Sequence, residues 1–193
     1  MTSFASQPYE GIVICDNDAE NILRSPTSFL DEKNWDLAQE TIQKLHAVRN
    51  NILKGGAGLA APQIGISLPI FIYTPNRNTE SLVNVINPSF EPIGTDIVEG
   101  YEACFSSPLR CVKLGRWKQI KCRYQDLEKQ WNEVTLEDFA AKVFQHEMDH
   151  LQGRLTIDHA SAEIMTFSET KTFQKYMEKV HLEDSETYKM ALT

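Results

Sequence analysis

The sequence predicts an α+β fold, and three observations predict it. Short stretches rich in β-branched residues are gathered in the middle of the chain. Amphipathic helical periods stand before them and after them. The two kinds do not alternate regularly, as they would for a parallel sheet built from strand–helix–strand units. With 193 residues, 41% of them hydrophobic and 24% charged, the chain suits one domain spanning 1–193 with a substantial core.

The elements follow in chain order. Roughly the first thirty residues read as irregular, with Pro8 and Pro26 as breaks. From Asn34 a helical period begins, with Leu37, Ile42, Leu45, Val48 and Ile52 near one face and Gly55-Gly56 as its end. "LPIFIYT" and "LVNVINP" read as strands, and "WKQIKCRYQD" with "QWNEVTL" as a pair joined by a polar turn. A second helix follows, with Thr135 as N-cap, Asp138 three residues on, and Gly153 as stop. A last helix is expected from Ala160 to about Leu182, with Met165, Phe173, Met177 and Val180 as packing residues.

Charge narrows the classes of partner. Nineteen basic against 27 acidic residues leave a formal charge of −8, which disfavours nucleic acid and anionic membranes. The N-terminus has no basic start followed by a long apolar core, and no apolar run reaches membrane-spanning length. Cys15, Cys104, Cys111 and Cys122 form no C-x-x-C pair, so reduced thiols and a cytoplasmic location are expected.

The second helix carries His146-Glu147-Met148-Asp149-His150. Residues four apart on a helix lie one turn apart on the same side, so both imidazoles can reach one metal ion, while Glu147 can reach water beside it. Phe144, Val143 and Leu151 nearby argue against a solvated pair of chance histidines. A catalytic site needs a third protein ligand. His159 lies beyond Gly153, past a change of element, and is the weaker candidate; Cys104, in "EGYEACFSSP", is the better one. "GGAGLAAPQIG", residues 55–65, offers close backbone approach and the amide of Gln63, suited to an oxyanion.

Together these three stretches resemble the peptide deformylase family, whose motifs in chain order are G-x-G-L-A-A-x-Q, E-G-C-x-S and Q-H-E-x-D-H. Here they read Gly56-Ala57-Gly58-Leu59-Ala60-Ala61-Pro62-Gln63, Glu102-Ala103-Cys104-Phe105-Ser106 and Gln145-His146-Glu147-Met148-Asp149-His150. The resemblance covers about residues 50–160 and implies antiparallel β-sheets packed around a central ligand helix, with an N-terminal and a C-terminal helix. It implies a metallohydrolase that removes the N-formyl group from formylmethionyl peptides of nascent proteins and releases formate. It implies Cys104, His146 and His150 as ligands of one divalent metal, Fe²⁺ physiologically, with Ni²⁺, Co²⁺ or Zn²⁺ in purified material. By the same resemblance Glu147 moves the proton, and the Gln63 amide and the Phe105 N–H meet the oxyanion. Glu102 and Arg116 match a supporting salt bridge, and Asp149 reads as a supporting residue.

The resemblance also assigns Gly56, Ala57, Gly58, Ala103, Phe139, Lys142 and Val143 to the substrate side. Ala103 stands where the family has glycine, and Lys142 puts a cation beside a methionine pocket, which costs desolvation unless its head reaches water. A reshaped or partly open pocket with altered or reduced activity is the expectation. Two rivals follow: a zinc-dependent H-E-x-x-H peptidase, and a protein that keeps the fold but only binds. In some members the last helix helps ribosome docking through basic residues. Here Lys171, Lys175 and Lys179 alternate with Glu169, Glu178 and Glu183, which weighs against such a contact.

Overall fold

Two antiparallel sheets carry the structure, each covered by helices whose apolar stripes match it. The computed structural model describes residues 10–76 and 81–190, with side chains as far as residue 180. Pro8 and the side chain of Glu183 lie outside the described residues.

Helix α1 spans Trp35–Ala47 and buries Trp35, Ala38, Thr41, Ile42 and Leu45. Leu37, expected on that face, is 47% exposed. It precedes Ile42 by five residues and so points about 140° away around the helix; Trp35 and Ala38 fill the face instead. The helix does not run unbroken to Gly55. Val48–Leu53 winds as a wider π-type turn, and Lys54 closes it in the left-handed region at φ 54°.

The first sheet holds β1 (Gly58–Ala60), β2 (Ile70–Tyr73), β3 (Val83–Pro92), β6 (Gln119–Gln125) and β7 (Trp131–Glu137), in the order β1-β2-β3-β6-β7. The expected pair of strands around the polar turn is β6 and β7, antiparallel with Cys122 opposite Val134. The second sheet, ordered β4-β5-β8, holds β4 (Ile97–Cys104), β5 (Ser107–Trp117) and β8 (Glu163–Thr166). β1 and β4 are therefore both edge strands.

Helix α2, Asp138–Leu151, follows β7 directly. Thr135 is not its N-cap. Pairing with β6 keeps residues through Glu137 extended, and Glu137 takes the cap position. α2 packs on one face of the first sheet, where Phe144 meets Phe71, Tyr73 and Tyr124 ring to ring. α1 covers the other face, with Ile42 and Leu45 in one cluster with Ile70, Ile72 and Ile86. Alternate residues of β2 thus face opposite cores, which is why the run Ile70–Tyr73 is apolar throughout.

The expected last helix begins ten residues later than its period suggested, at Thr170, and runs to Met190 as α3. Glu163–Thr166 pairs instead with the open side of β5, because that edge offers a full ladder of hydrogen bonds. Met177 and Val180 of α3 bury against Cys111, with Met165 and Phe173 beside them.

Candidate metal centre

His146 and His150 lie on the last turns of α2 with ring centres 5.1 Å apart. Cys104 is the last residue of β4, where the strand breaks register before turning into β5. One ligand atom from each of Cys104, His146 and His150 comes within 4.8 Å of the other two. The Cys104 Sγ is 3.3 Å from His150 Nε2. Around a tetrahedral ion bound about 2.3 Å from sulfur and 2.0–2.1 Å from nitrogen, neighbouring donors sit roughly 3.5 Å apart, so this donor set fits one divalent cation. Among the described residues it is the one such cluster.

Behind the donors lies a chain of charged groups. His146 Nδ1 is 2.8 Å from Glu102 Oε2, which leaves its other nitrogen for the ion. Arg116 donates to both Glu102 oxygens, at 2.8 and 2.9 Å, and to Asp149 Oδ2. Burial alone would raise the Glu102 carboxyl, but Arg116 and His146 outweigh it and hold it well below the usual carboxylate range. His159, weighed above as a ligand, lies outside the donor cluster: its Nε2 is 2.8 Å from Asp149 Oδ2, and Arg154 reaches the other Asp149 oxygen at 3.2 Å. Gln145, the first residue of the third motif, clamps α2 to β5 through both main-chain groups of Trp117.

Glu147 is buried, and its Oε2 has no hydrogen-bond partner among the described residues. Burial is the largest influence and pushes its carboxyl up to about 7, with Glu102 and Asp149 adding to the rise and His146 and Arg116 opposing it. β1 makes room for it: a Cβ on Gly58 would stand 2.3 Å from Glu147 Oε1.

Gln63 lies in the short turn Ala61–Ile64 that follows β1. Its Oε1 accepts from the Ala60 N–H at 2.9 Å, so its Nε2 is turned toward Cys104 Sγ (3.5 Å) and Ser106 Oγ (3.3 Å). The segment before it ties the two loops together: Val13 N–H donates to the Gln63 carbonyl and Cys15 N–H to that of Ser106. Phe105 is half-buried and Ala103 exposed beside Cys104. Ala57 and Phe139 pack with Val143 on the cluster that holds Phe144 and Met148, while Lys142 is half-buried on the same helix. Gln145 stood in the third motif with no role attached to it, whereas Arg49 and the pairing of Asp149 with Arg116, His159 and Arg154 carried no signal in the sequence.

The chain matches the family described as Polypeptide deformylase over residues 12–164. It is 36% identical over 163 residues to the peptide deformylase of Bifidobacterium adolescentis, an alignment covering 78% of this chain and 73% of that one. The crystal structure of peptide deformylase from Thermotoga maritima superposes with a TM-score of 0.68 at 35% identity, covering 78% of this chain and 96% of that chain. A class I type b peptide deformylase from Acinetobacter baumannii, solved with Met-Ala-Ser bound, superposes with a TM-score of 0.67 at 25% identity, covering 77% and 97%.

Proposed function

The chain belongs to the polypeptide deformylase family, and from that premise we propose that it is a metal-dependent hydrolase which frees formylmethionyl peptides of their N-terminal formyl group. The observation that carries this reading is a buried carboxylate, Glu147, with an unpartnered oxygen beside three convergent donors. Cys104, His146 and His150 would hold the divalent ion, and Glu102, itself held by Arg116, orients His146 from behind. Bound there, the ion supplies Lewis-acid polarisation and makes water acidic enough to act as a nucleophile near neutral pH. Fe²⁺ is the physiological choice for this set. Ni²⁺, Co²⁺ or Zn²⁺ is what purification would leave, because most divalent ions above iron in the affinity order bind such donors more tightly.

Glu147 takes the proton from the attacking water and passes it to the departing amine. The Gln63 Nε2–H and the Phe105 N–H donate to the formyl oxygen as it gains charge. The Gln63 amide is already oriented for this, since its oxygen is held by Ala60. The peptide lies extended between the open edges of β1 and β4, against Gly56, Gly58 and Ala103. Its methionine side chain meets Ala57, Phe139 and Val143, with Lys142 at the rim. The products are formate and a peptide with a free amine. Such a substrate places the protein in the cytoplasm, beside nascent chains, and no helix among the described residues is long and apolar enough to cross a membrane.

The binding-only and peptidase alternatives are not favoured, since the donor set and the Glu147 base are intact on a chain of this family. Anaerobically iron-loaded protein should release formate from formyl-Met-Ala-Ser without cleaving internal bonds. Glu147→Ala should lower that rate by about 10²–10⁴-fold while the metal stays bound. Equal rates in the two proteins would overturn the assignment.

A further inference from the structure

Arg49 is almost fully buried, yet it lies far along the chain from every residue of the metal site. It is the second residue of the π-type turn Val48–Leu53 that ends the first helix. Turns of this kind change the direction of the side chains they carry and recur near functional sites. Here the turn aims the guanidinium at the loop leading into β1. Nε and Nη2 both donate to the Gly56 carbonyl, at 3.1 and 2.9 Å, and Nη1 donates to Asn50 Oδ1 at 3.2 Å. The Arg49 carbonyl in turn accepts from the Gly55 N–H at 3.3 Å. One residue thus holds the loop by side chain and main chain together.

Gly56 is placed where that grip counts. It stands at φ 104°, a conformation that side chains rarely adopt, and a Cβ there would come within 2.7 Å of the Phe105 ring. The Gly56 backbone therefore lies directly against Phe105, the neighbour of Cys104. On its other side Gly56 leads through Ala57 into Gly58, which lies against Glu147. Both walls of the cleft assigned to the peptide, the β1 edge and the turn after β4, meet at the residue whose carbonyl Arg49 holds.

We propose that Arg49 is a positioning residue for the substrate backbone, setting the separation of the β1 edge from Phe105 by its two-pronged hold on Gly56. The proposal rests on the deformylase reading above. A planar fork fixes both the distance and the direction of a carbonyl, whereas a lysine ammonium in the same place fixes neither. The hold of Arg49 on Gly56 bears on the loop that carries the peptide, so its loss acts on how well the peptide is held rather than on proton transfer.

The test uses full-length, metal-loaded protein carrying Arg49→Met or Arg49→Lys, with formyl-Met-Ala-Ser as substrate. Arg49→Met should raise KM about tenfold with kcat within about twofold, and Arg49→Lys should raise KM about threefold. Metal content and the absorption spectrum of the Co²⁺-loaded forms should match those of the unsubstituted chain. An unchanged KM, or a fall in kcat that follows metal loss, overturns the proposal. If Arg49→Met does not fold, Arg49→Lys decides alone by the same KM criterion. If the unsubstituted chain releases no formate, the deformylase reading fails. Arg49 is then judged by the affinity of the peptide Met-Ala-Ser measured calorimetrically, which should weaken by the same factors and overturns the proposal if it does not.

Discussion

Glu147 shows how a buried carboxyl opposes the stability of its own fold. Folding carries its carboxyl from an ordinary value of 4.5 up to about 7, chiefly by burial. A group raised in this way leaves stability intact below its unfolded value and removes it as pH climbs through the folded one. By pH 8 the penalty in the metal-free protein is on the order of 3 kcal/mol. Metal-free Glu147→Gln should therefore resist denaturant better than the unsubstituted protein at pH 8, and the gap should close as pH falls toward 4. A constant gap across that range, measured by urea unfolding, would contradict the assigned cause. The same proximity to cations that lowers a carboxyl pKa means that loading the site should draw Glu147 back down. The pairing of His146, Glu147 and His150 was legible because a helix brings such residues together by local geometry alone. The tie between Asp149 and His159 was not, since it depends on where the chain returns after Gly153.

At the scale of elements, the shortest strand has the tightest tolerance. β1 has only three residues and no period long enough to announce a strand, yet its first residue lies against the Glu147 carboxylate. A methyl group on Gly58 would meet the carboxyl carbon as well as the oxygen of Glu147. Gly58→Ala should thus cost about 100-fold in kcat, because misplacement of a proton carrier by about 1 Å is worth that much. Its thermal midpoint should move by only a few degrees; a near-normal kcat would show that Glu147 can move aside freely. The hairpin of β4 and β5 was not legible either. Glycine, cysteine and charged residues interrupt its alternation, and partners supply the order: β5 sits between β4 and β8, with Cys111 opposite Ala103 on one side and Met165 on the other. The start of the last helix was misplaced for a related reason, since Glu163–Thr166 is drawn into that sheet.

At the scale of the molecule, the site is a joint between layers. Cys104 and Glu102 come from the second sheet, the histidines and Asp149 from α2, and Gln63 from the turn that follows β1 of the first sheet. An ion held across this joint binds the folded chain and not the unfolded one. At a free concentration about 100 times its dissociation constant it adds roughly 2.7 kcal/mol of stability. For a chain of this length that is worth about 5–10 °C. Stripping the metal with a chelator should lower the thermal midpoint by that amount, and calorimetry should show it restored on reloading. An unmoved midpoint would mean that the ion does not bridge the layers. The Arg116 clamp should persist without metal, since both of its carboxylates are contacted within the protein.

The sequence by itself determined the α+β class, the two helix-borne histidines with their glutamate, and the family to which the three motifs belong. These follow from local periodicity and from short contiguous patterns, which survive in a linear string. The three motifs already implied that Cys104 and His150 converge; tertiary structure alone decided that His159 serves Asp149 and that Arg49 reaches Gly56. Each of those last two depends on strands and turns packed from distant parts of the chain, and no spacing within one segment encodes such a meeting.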